Sequence, residues 1–104
     1  MGEYAEMTQA IIETVKRIPY GHVASYGMVA LISGYPNGAR QVVRVLSTLS
    51  TKEQLPWHRV INKKGEIALR GEGECEQITR LLSEGVNFIS VGKVDPRHFF
   101  DFKT

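Results

Sequence analysis

Two short amphipathic segments, joined by a glycine-tyrosine-proline turn at residues 34–36, constrain the fold of this chain most strongly. Ser25 is a good N-cap for a helix from Tyr26 to about Ser33, and the turn prevents that helix from continuing. Asn37 is expected to cap a second helix that runs to about Leu49. Two helices joined in this way are typical of a helix-turn-helix. The buried face of the second helix is predicted to comprise Ala39, Val42, Val43, Leu46 and Leu49.

The remaining periodic segments predict two further helices. Apolar residues at helical spacing indicate a first helix from about Tyr4 to Arg17, which Pro19 and Gly21 then end. A fourth helix is predicted from about Glu74 to Glu84. Its buried residues are expected to be Cys75, Ile78, Leu81 and Leu82.

A β-hairpin is expected between the third and fourth helices. Residues 58–62 and 66–69 are β-prone, and they flank a lysine-lysine-glycine loop at residues 63–65. After Val86 the chain is expected to add a short strand and to pack three phenylalanines, at 99, 100 and 102, on the body. The sequence therefore predicts one domain over residues 1–104, mainly α with a small β-hairpin, arranged as a winged helix-turn-helix.

Composition restricts the functions that remain. The chain has no apolar run long enough to span a bilayer, so a protein inside the cell with no membrane partner is expected. Its single cysteine excludes an intramolecular disulfide and a cysteine-rich zinc site, and no metal or cofactor is implied. The net charge of +2 is too small to indicate a nucleic-acid partner, so the positions of the positive charges matter more.

Positive charge lies on one face of the third helix. Arg40 and Arg44 are four residues apart, opposite the predicted apolar face, and no acidic residue accompanies them. One interpretation is that this face is an ordinary solvated surface. The other is that the arginines and the N-terminus of the helix contact a nucleic acid. Tyr26 has a similar pair of readings, as a cover for the core edge or as a ring pressed against a phosphate.

The only tryptophan stands in the stretch PWHRV at residues 56–60. Its neighbours His58 and Arg59 are polar, which suits a site better than a core. Arg70 and Gly71 lie in a glycine-containing segment downstream, either as part of a plain charged turn or as a flap whose arginine covers an aromatic face. Trp57 and Arg70 are therefore expected to form opposite walls of one pocket.

These stretches amount to a family resemblance from about Tyr4 to Val86. The blocks IPYGHVASYG, NGARQV, PWHRVI and LLSEGV occur in the order found in the DNA-binding domain of O6-alkylguanine-DNA alkyltransferases, which the chain resembles. The reactive motif of that family is Pro-Cys-His-Arg-Val, and here Trp57 stands where the cysteine belongs. That replacement marks the alkyltransferase-like proteins, which bind alkylated guanine without repairing it.

The resemblance implies a role for each matching residue. Tyr26 corresponds to the tyrosine that helps rotate the phosphate of the damaged nucleotide, and Arg40 to the arginine that fills the space left by the flipped base. His58 and Glu84 correspond to the relay that activates the missing thiol. Leu49 replaces an asparagine that braces the reactive loop. The residues expected to contact DNA or the lesion are Tyr26, Asn37, Gly38, Ala39, Arg40, Arg44, Trp57, Arg59, Arg70 and Gly71.

The chemistry agrees with a loss of transfer. Alkyl transfer needs a thiolate, the indole nitrogen of Trp57 is only a donor, and Cys75 is expected on the buried face of its helix. The resemblance implies a monomeric, non-enzymatic sensor that flips O6-alkylguanine in double-stranded DNA and marks it for nucleotide excision repair. It would act in the cytoplasm at the nucleoid in a bacterium, or in the nucleus of a eukaryote.

Two other functions remain open at this point. One is a base-releasing enzyme that uses His58 and Glu84, and the other is a winged-helix transcription factor that reads the major groove. The first would produce abasic sites or free base in alkylated DNA, and the second would prefer a sequence over a lesion.

Overall fold

Four α-helices are the main elements of residues 4–103, the part of the chain that this computed structural model describes. The helices are α1 (Glu6–Lys16), α2 (Tyr26–Ile32), α3 (Ala39–Glu53) and α4 (Glu72–Ser83). The short strands are β1 (Ala24–Ser25), β2 (Val60–Ile61), β3 (Phe88–Ser90) and β4 (Lys93–Val94), and single 3-10 turns occupy Trp57–Arg59 and Pro96–His98. The mainly helical class predicted from the sequence is confirmed.

The first three helices enclose an apolar core. Ser25 caps α2 as predicted, because its Oγ accepts a hydrogen bond of 3.0 Å from the Met28 amide. A second, smaller core lies beneath α4 and the strands. The first core includes Ile11, Ile12, Val15, Val29, Ala30, Val42, Val45 and Phe102, and the second includes Val23, Ile61, Ile67, Leu81, Val86 and Val94.

Helix α3 differs from its prediction at its start and on its buried face. Gly38, not Asn37, is the N-cap, and it gives no side-chain cap. A Cβ on Gly38 would lie 2.5 Å from the Met7 side chain, so this turn packs against α1 too closely for a larger residue. Val42 and Val45 are buried, whereas Val43 is 48% exposed because it lies on the side of α3 turned away from α1 and α2.

Helix α4 buries only part of the predicted face. Leu81 is buried and Ile78 packs against the second core as predicted, but Cys75 is exposed, Leu82 is 56% exposed, and Gln77 is buried in addition. Residues four apart share a side of a helix, so Gln77 and Leu81 face the body together. Cys75 and Leu82 lie about half a helical turn round from them, on the solvent side.

The predicted hairpin forms a turn but not a two-stranded sheet. Strand β2 pairs in parallel with β1, with Ala24 opposite Val60. The turn after β2 is closed by a 3.1 Å hydrogen bond from the Asn62 amide to the Glu66 carbonyl. Glu66 then pairs with Lys93 instead of continuing a strand back along β2. The expected strand at residues 58–62 is shortened because residues 57–59 adopt a 3-10 turn.

The C-terminal segment behaves as predicted. Strands β3 and β4 pair antiparallel, Phe102 is buried in the first core, and Phe99 and Phe100 pack against the two cores. Within residues 4–103, no helix combines the length and the apolar character needed to cross a membrane.

Candidate nucleic-acid interface

A tight turn holds Trp57 between α3 and α4. Helix α3 ends at Gln54 in the left-handed conformation, with φ of 54°. The Trp57 amide then donates to the Leu55 carbonyl at 2.8 Å, and the Arg59 amide donates to the Pro56 carbonyl at 3.0 Å. These bonds fix the direction of the loop, so the half-buried indole leaves the backbone at a defined place.

Trp57 lines a small cavity of about 120 Å³. Apolar and aromatic side chains supply most of its wall, which suits a flat, largely apolar ligand. Cavities of roughly this size, about 150 Å³, hold a single benzene ring in other proteins. The cavity therefore accommodates about one aromatic ring as it stands. Its lining residues are Tyr26, Val43, Leu46, Ser47, Trp57, Leu69 and Gln77.

Gln77 braces the loop that carries Trp57. Its Nε2 donates to the His58 carbonyl at 3.1 Å and to the Val60 carbonyl at 3.0 Å. Leu49, which the resemblance matches to the family's bracing asparagine, packs against the first core. Gln77 of α4 therefore holds the loop in place. No role for Gln77 was predicted from the sequence.

His58 and Glu84 form the expected pair. His58 Nε2 lies 2.7 Å from Glu84 Oε2, and each side chain is only 8% exposed. Burial alone would raise the pKa of Glu84, but hydrogen bonds from Arg59, the Gly21 amide and His58 lower that pKa to about 2. Burial also lowers the pKa of His58, against the opposing effect of Glu84. Within residues 4–103, no cluster of three or more His, Cys, Asp or Glu residues is placed to hold a metal ion.

Arg59 is engaged inside the protein. Its Nη2 lies 2.8 Å from Glu84 Oε2, and its Nη1 donates to the Ile18 carbonyl at 2.9 Å. The predicted contact of Arg59 with DNA stays a prediction. In the structure, the guanidinium of Arg59 pairs with Glu84. Arg59 therefore supports the loop from behind.

The sequence predicted that Arg70 lies opposite Trp57, but in the structure it does not. Leu69 supplies that part of the cavity wall, and Arg70 Nη1 donates to the carbonyl of Leu69 at 3.0 Å, within its own segment. The cation above the Trp57 ring is instead Arg80, whose guanidinium carbon is 5.6 Å from the ring centroid. Arg80 is held by a 2.7 Å ion pair with Glu76.

The N-terminus of α3 and its exposed face adjoin this cavity. Arg40 and Arg44 are exposed, and the first turn of the helix has neither an acidic residue nor a side-chain cap. Its first amides therefore remain available to an anion. Of the other predicted contacts, Asn37 is exposed at this end, while Gly38 is buried and Ala39 half-buried.

Two features of the site were missed in the sequence. Val43 lies three residues after Arg40 and Ser47 three residues after Arg44, so the arginine face of α3 continues into the cavity wall. An apolar residue between two arginines on one face was a usable signal. The signal for Gln77 was weaker, because it consists only of a polar residue four positions before the buried Leu81.

The roles predicted for Tyr26 and Gly71 in binding DNA stay predictions, but the structure gives the positions of both residues. Tyr26 is the first residue of α2 and lines the cavity, and burial raises the pKa of its hydroxyl, which stays neutral. Gly71 precedes α4 with φ of 66°, a conformation that favours glycine.

Comparison with known proteins identifies the fold and its relatives. The family described as "6-O-methylguanine DNA methyltransferase, DNA binding domain" matches residues 6–86. The chain is 42% identical over 91 residues to the DNA base-flipping protein of Escherichia coli, covering 88% of this chain and 70% of that protein. It is also 42% identical over 83 residues to Alkyltransferase-like protein 1 of Schizosaccharomyces pombe, covering 78% and 77% of the two chains.

Solved structures that resemble this chain come from the same family. The S. pombe protein Atl1, in complex with damaged DNA containing O6-carboxymethylguanine, superimposes with a TM-score of 0.80 at 36% identity, covering 96% of this chain and 99% of that one. The Mycobacterium tuberculosis protein OGT, in complex with DNA, gives a TM-score of 0.63 at 27% identity, covering 79% of this chain and 51% of that one. This chain belongs to the family of the 6-O-methylguanine DNA methyltransferase DNA-binding domain.

Proposed function

We propose that this protein is a non-enzymatic sensor of O6-alkylguanine in double-stranded DNA, which turns the damaged base out of the helix and holds it without alkyl transfer. The observation that carries the proposal is the position of Trp57. Trp57 lines a mostly apolar cavity beside the arginine face of α3, and by resemblance it stands at the cysteine position of the family motif. The names of the relatives, a base-flipping protein and an alkyltransferase-like protein, support it.

The absence of a thiol at this position argues against transfer. A thiolate must attack the alkyl carbon, and the indole of Trp57 has no free lone pair for that purpose. Cys75 was expected to be buried but is exposed; it is on the side of α4 away from Gln77 and is not among the residues that line the cavity. The flipped base would therefore meet mostly flat and apolar side chains, and no thiol among the residues that line the cavity.

Helix α3 supplies the contacts to the duplex. Its uncapped first turn suits a phosphate, and exposed Arg40 lies one turn before Val43 in the cavity wall. A base that leaves the stack leaves a gap, and the Arg40 side chain is placed to enter it. Tyr26, at the start of α2, completes the cavity on the side where the backbone of the flipped nucleotide would turn.

The segment around Arg70 is the wall that has to move. A purine has two fused rings, so the present cavity must widen to receive it. Leu69 is 38% exposed and Arg70 is bonded only to carbonyls of its own segment, so displacing both breaks few contacts with the body. Arg70 can then lie over the base from the side opposite Trp57.

The fate of the lesion follows from the same reasoning. Because no step in this account removes the alkyl group, other proteins must repair the DNA, and we propose nucleotide excision repair as that route. The rival function of a base-releasing enzyme fits the structure less well. His58 pairs with Glu84 behind the loop and is not among the residues that line the cavity.

A competition experiment tests the proposal. Labelled duplex with O6-methylguanine is competed with unlabelled methylated and undamaged duplexes of several sequences, while protein mass and free base are measured in parallel. The proposal predicts a preference for the lesion in every sequence, unchanged protein mass and no released base. A gain of one methyl group, release of base, or equal affinity for damaged and undamaged duplexes would each contradict it.

A further inference from the structure

Trp57 lines two cavities of different character. One is the mostly apolar cavity proposed to receive the flipped base, here called the base cavity. The other is a groove of about 290 Å³ with a largely polar wall, and in the described part of the chain Trp57 is the one residue that the two linings share. The backbone bonds of the loop fix where the indole leaves the chain, but they do not fix which cavity the ring faces. The groove is lined by Ser50, Thr51, Gln54, Leu55, Trp57 and Arg80.

Arg80 covers the indole from the side of the groove. Its guanidinium carbon lies 5.6 Å from the centroid of the Trp57 ring, within the distance at which a cation and an aromatic face attract each other. Arg80 lines the groove but not the base cavity, so the guanidinium lies on the groove side of the ring. The ring of buried His58 makes a T-shaped contact with the indole, with centroids 6.1 Å apart. The two contacts together restrict how the indole can turn.

Glu76 fixes the guanidinium of Arg80 in this place. The Nε and Nη2 atoms of Arg80 donate to Glu76 Oε2 at 3.0 Å and 2.7 Å. The two residues lie one turn apart on α4, with the acid before the base, which is the favourable order. Both side chains are about half exposed, so the ion pair itself adds little to the stability of the fold. The position of this pair beside Trp57 points to a role in placing the indole.

We propose that Arg80 is a positioning residue for Trp57, whose guanidinium covers the groove side of the indole and keeps the ring turned toward the base cavity. The ring is then in place before DNA arrives, so a flipped base meets a wall that is already ordered. A binding surface that is ordered in advance loses less conformational entropy on association. The effect on DNA binding rests on the proposed function, whereas the position of the ring can be tested in the protein alone.

The test compares Arg80→Met with Arg97→Met. The first variant keeps the length of the side chain but removes the cation over the indole, and the second removes an exposed, ion-paired arginine of the C-terminal segment. In the free protein, we expect acrylamide to quench the fluorescence of Trp57 more strongly in Arg80→Met than in the wild type or the control. We also expect Arg80→Met to bind an O6-methylguanine duplex about two- to fivefold more weakly, with a much smaller change for undamaged DNA.

Three results would overturn this inference. Equal losses for methylated and undamaged duplexes, with a salt dependence reduced by about one contact, would make Arg80 a phosphate contact. Unchanged quenching in Arg80→Met would show that the guanidinium does not hold the indole. Lower thermal stability with wild-type quenching and lesion preference would show a purely structural role. A wild-type protein that does not prefer the lesion would instead contradict the proposed function, and the quenching of the free protein would still decide whether Arg80 positions the ring.

Discussion

Glu84 supports the recognition loop through an ion pair and two hydrogen bonds. It accepts from His58, from the Gly21 amide and from Arg59, and its side chain is 8% exposed. Removing one partner from a buried charged group leaves the others uncompensated, which is more costly than the net value of the pair. The His58–Glu84 pair is therefore part of the structure that positions Trp57.

This arrangement predicts a loss of stability in acid. The pKa of Glu84 is about 2 in the folded protein against an ordinary value of 4.5, so the unfolded chain takes up a proton first as the pH falls. The contribution of Glu84 to stability is complete above about pH 4.5 and declines toward pH 2. At about 1.4 kcal/mol for each pKa unit, the carboxylate contributes roughly 3 kcal/mol. Buried His58, whose pKa is also lowered, adds a decline in the same direction below its ordinary value of 6.5.

Denaturant unfolding measured from pH 7 to pH 2 checks this expectation. Glu84→Gln should lower the free energy of unfolding at neutral pH and flatten its decline in acid. Glu76→Gln is the matched control, because Glu76 forms an exposed ion pair on the same helix. A pH profile for Glu84→Gln that parallels the wild type would contradict the assignment.

Arg70 offers a second single-residue test. A guanidinium covers a base with its flat face as well as its charge, so lysine is a poor substitute. We expect Arg70→Lys to reduce the preference for the alkylguanine duplex by about 1–2 kcal/mol, roughly tenfold, with little change in binding to undamaged DNA. Measuring both affinities by fluorescence anisotropy distinguishes the two effects. Retained selectivity with lysine would show that charge alone is needed.

In the proposed complex, one face of helix α3 would connect the duplex to the cavity. Arg40 and Arg44 are exposed, and Val43 between them is half exposed at the cavity wall. Replacing Arg40 removes the group placed to fill the vacated stack, so Arg40→Ala should weaken lesion binding by about 1–3 kcal/mol more than background binding. Arg44→Ala, one turn later, is the control and should lower both affinities equally, as expected for a phosphate contact. An equal loss for Arg40→Ala would make it a phosphate contact too.

The two motif helices were largely readable from sequence because local signals define them. Ser25 caps α2, and the glycine-containing turn separates it from α3. The buried side of α4 was not readable, because its apolar residues occur on two sides and the buried position Gln77 is polar. The fold brings α4 close to the loop that carries Trp57. A glutamine is buried at this position because it bonds to that loop.

For the molecule as a whole, the sequence did not allow us to predict how distant segments of the chain pair. Strands β1 and β2 have two residues each, and their parallel pairing joins parts of the chain that no turn connects. A local pattern therefore suggested that β2 pairs with the segment following it. Tyr26 and Trp57 line one cavity, whereas the contacts of the predicted site residues with DNA stay predictions. Arg70 does not form the wall opposite Trp57, and Arg80, for which no role was predicted, lies over the Trp57 ring.

The whole account depends on whether an alkylguanine enters the cavity beside Trp57. Trp57 is the single tryptophan of the chain, so tryptophan fluorescence reports on the surroundings of this one side chain, which lines the cavity. A base stacked against the indole should quench or shift its emission. Emission is followed during titration with O6-methylguanine and undamaged duplexes, and binding is measured independently by anisotropy. The account predicts a saturable change with the methylated duplex and a much smaller one with undamaged DNA at equal occupancy. Identical changes, or bound lesion with unaltered emission, would contradict it.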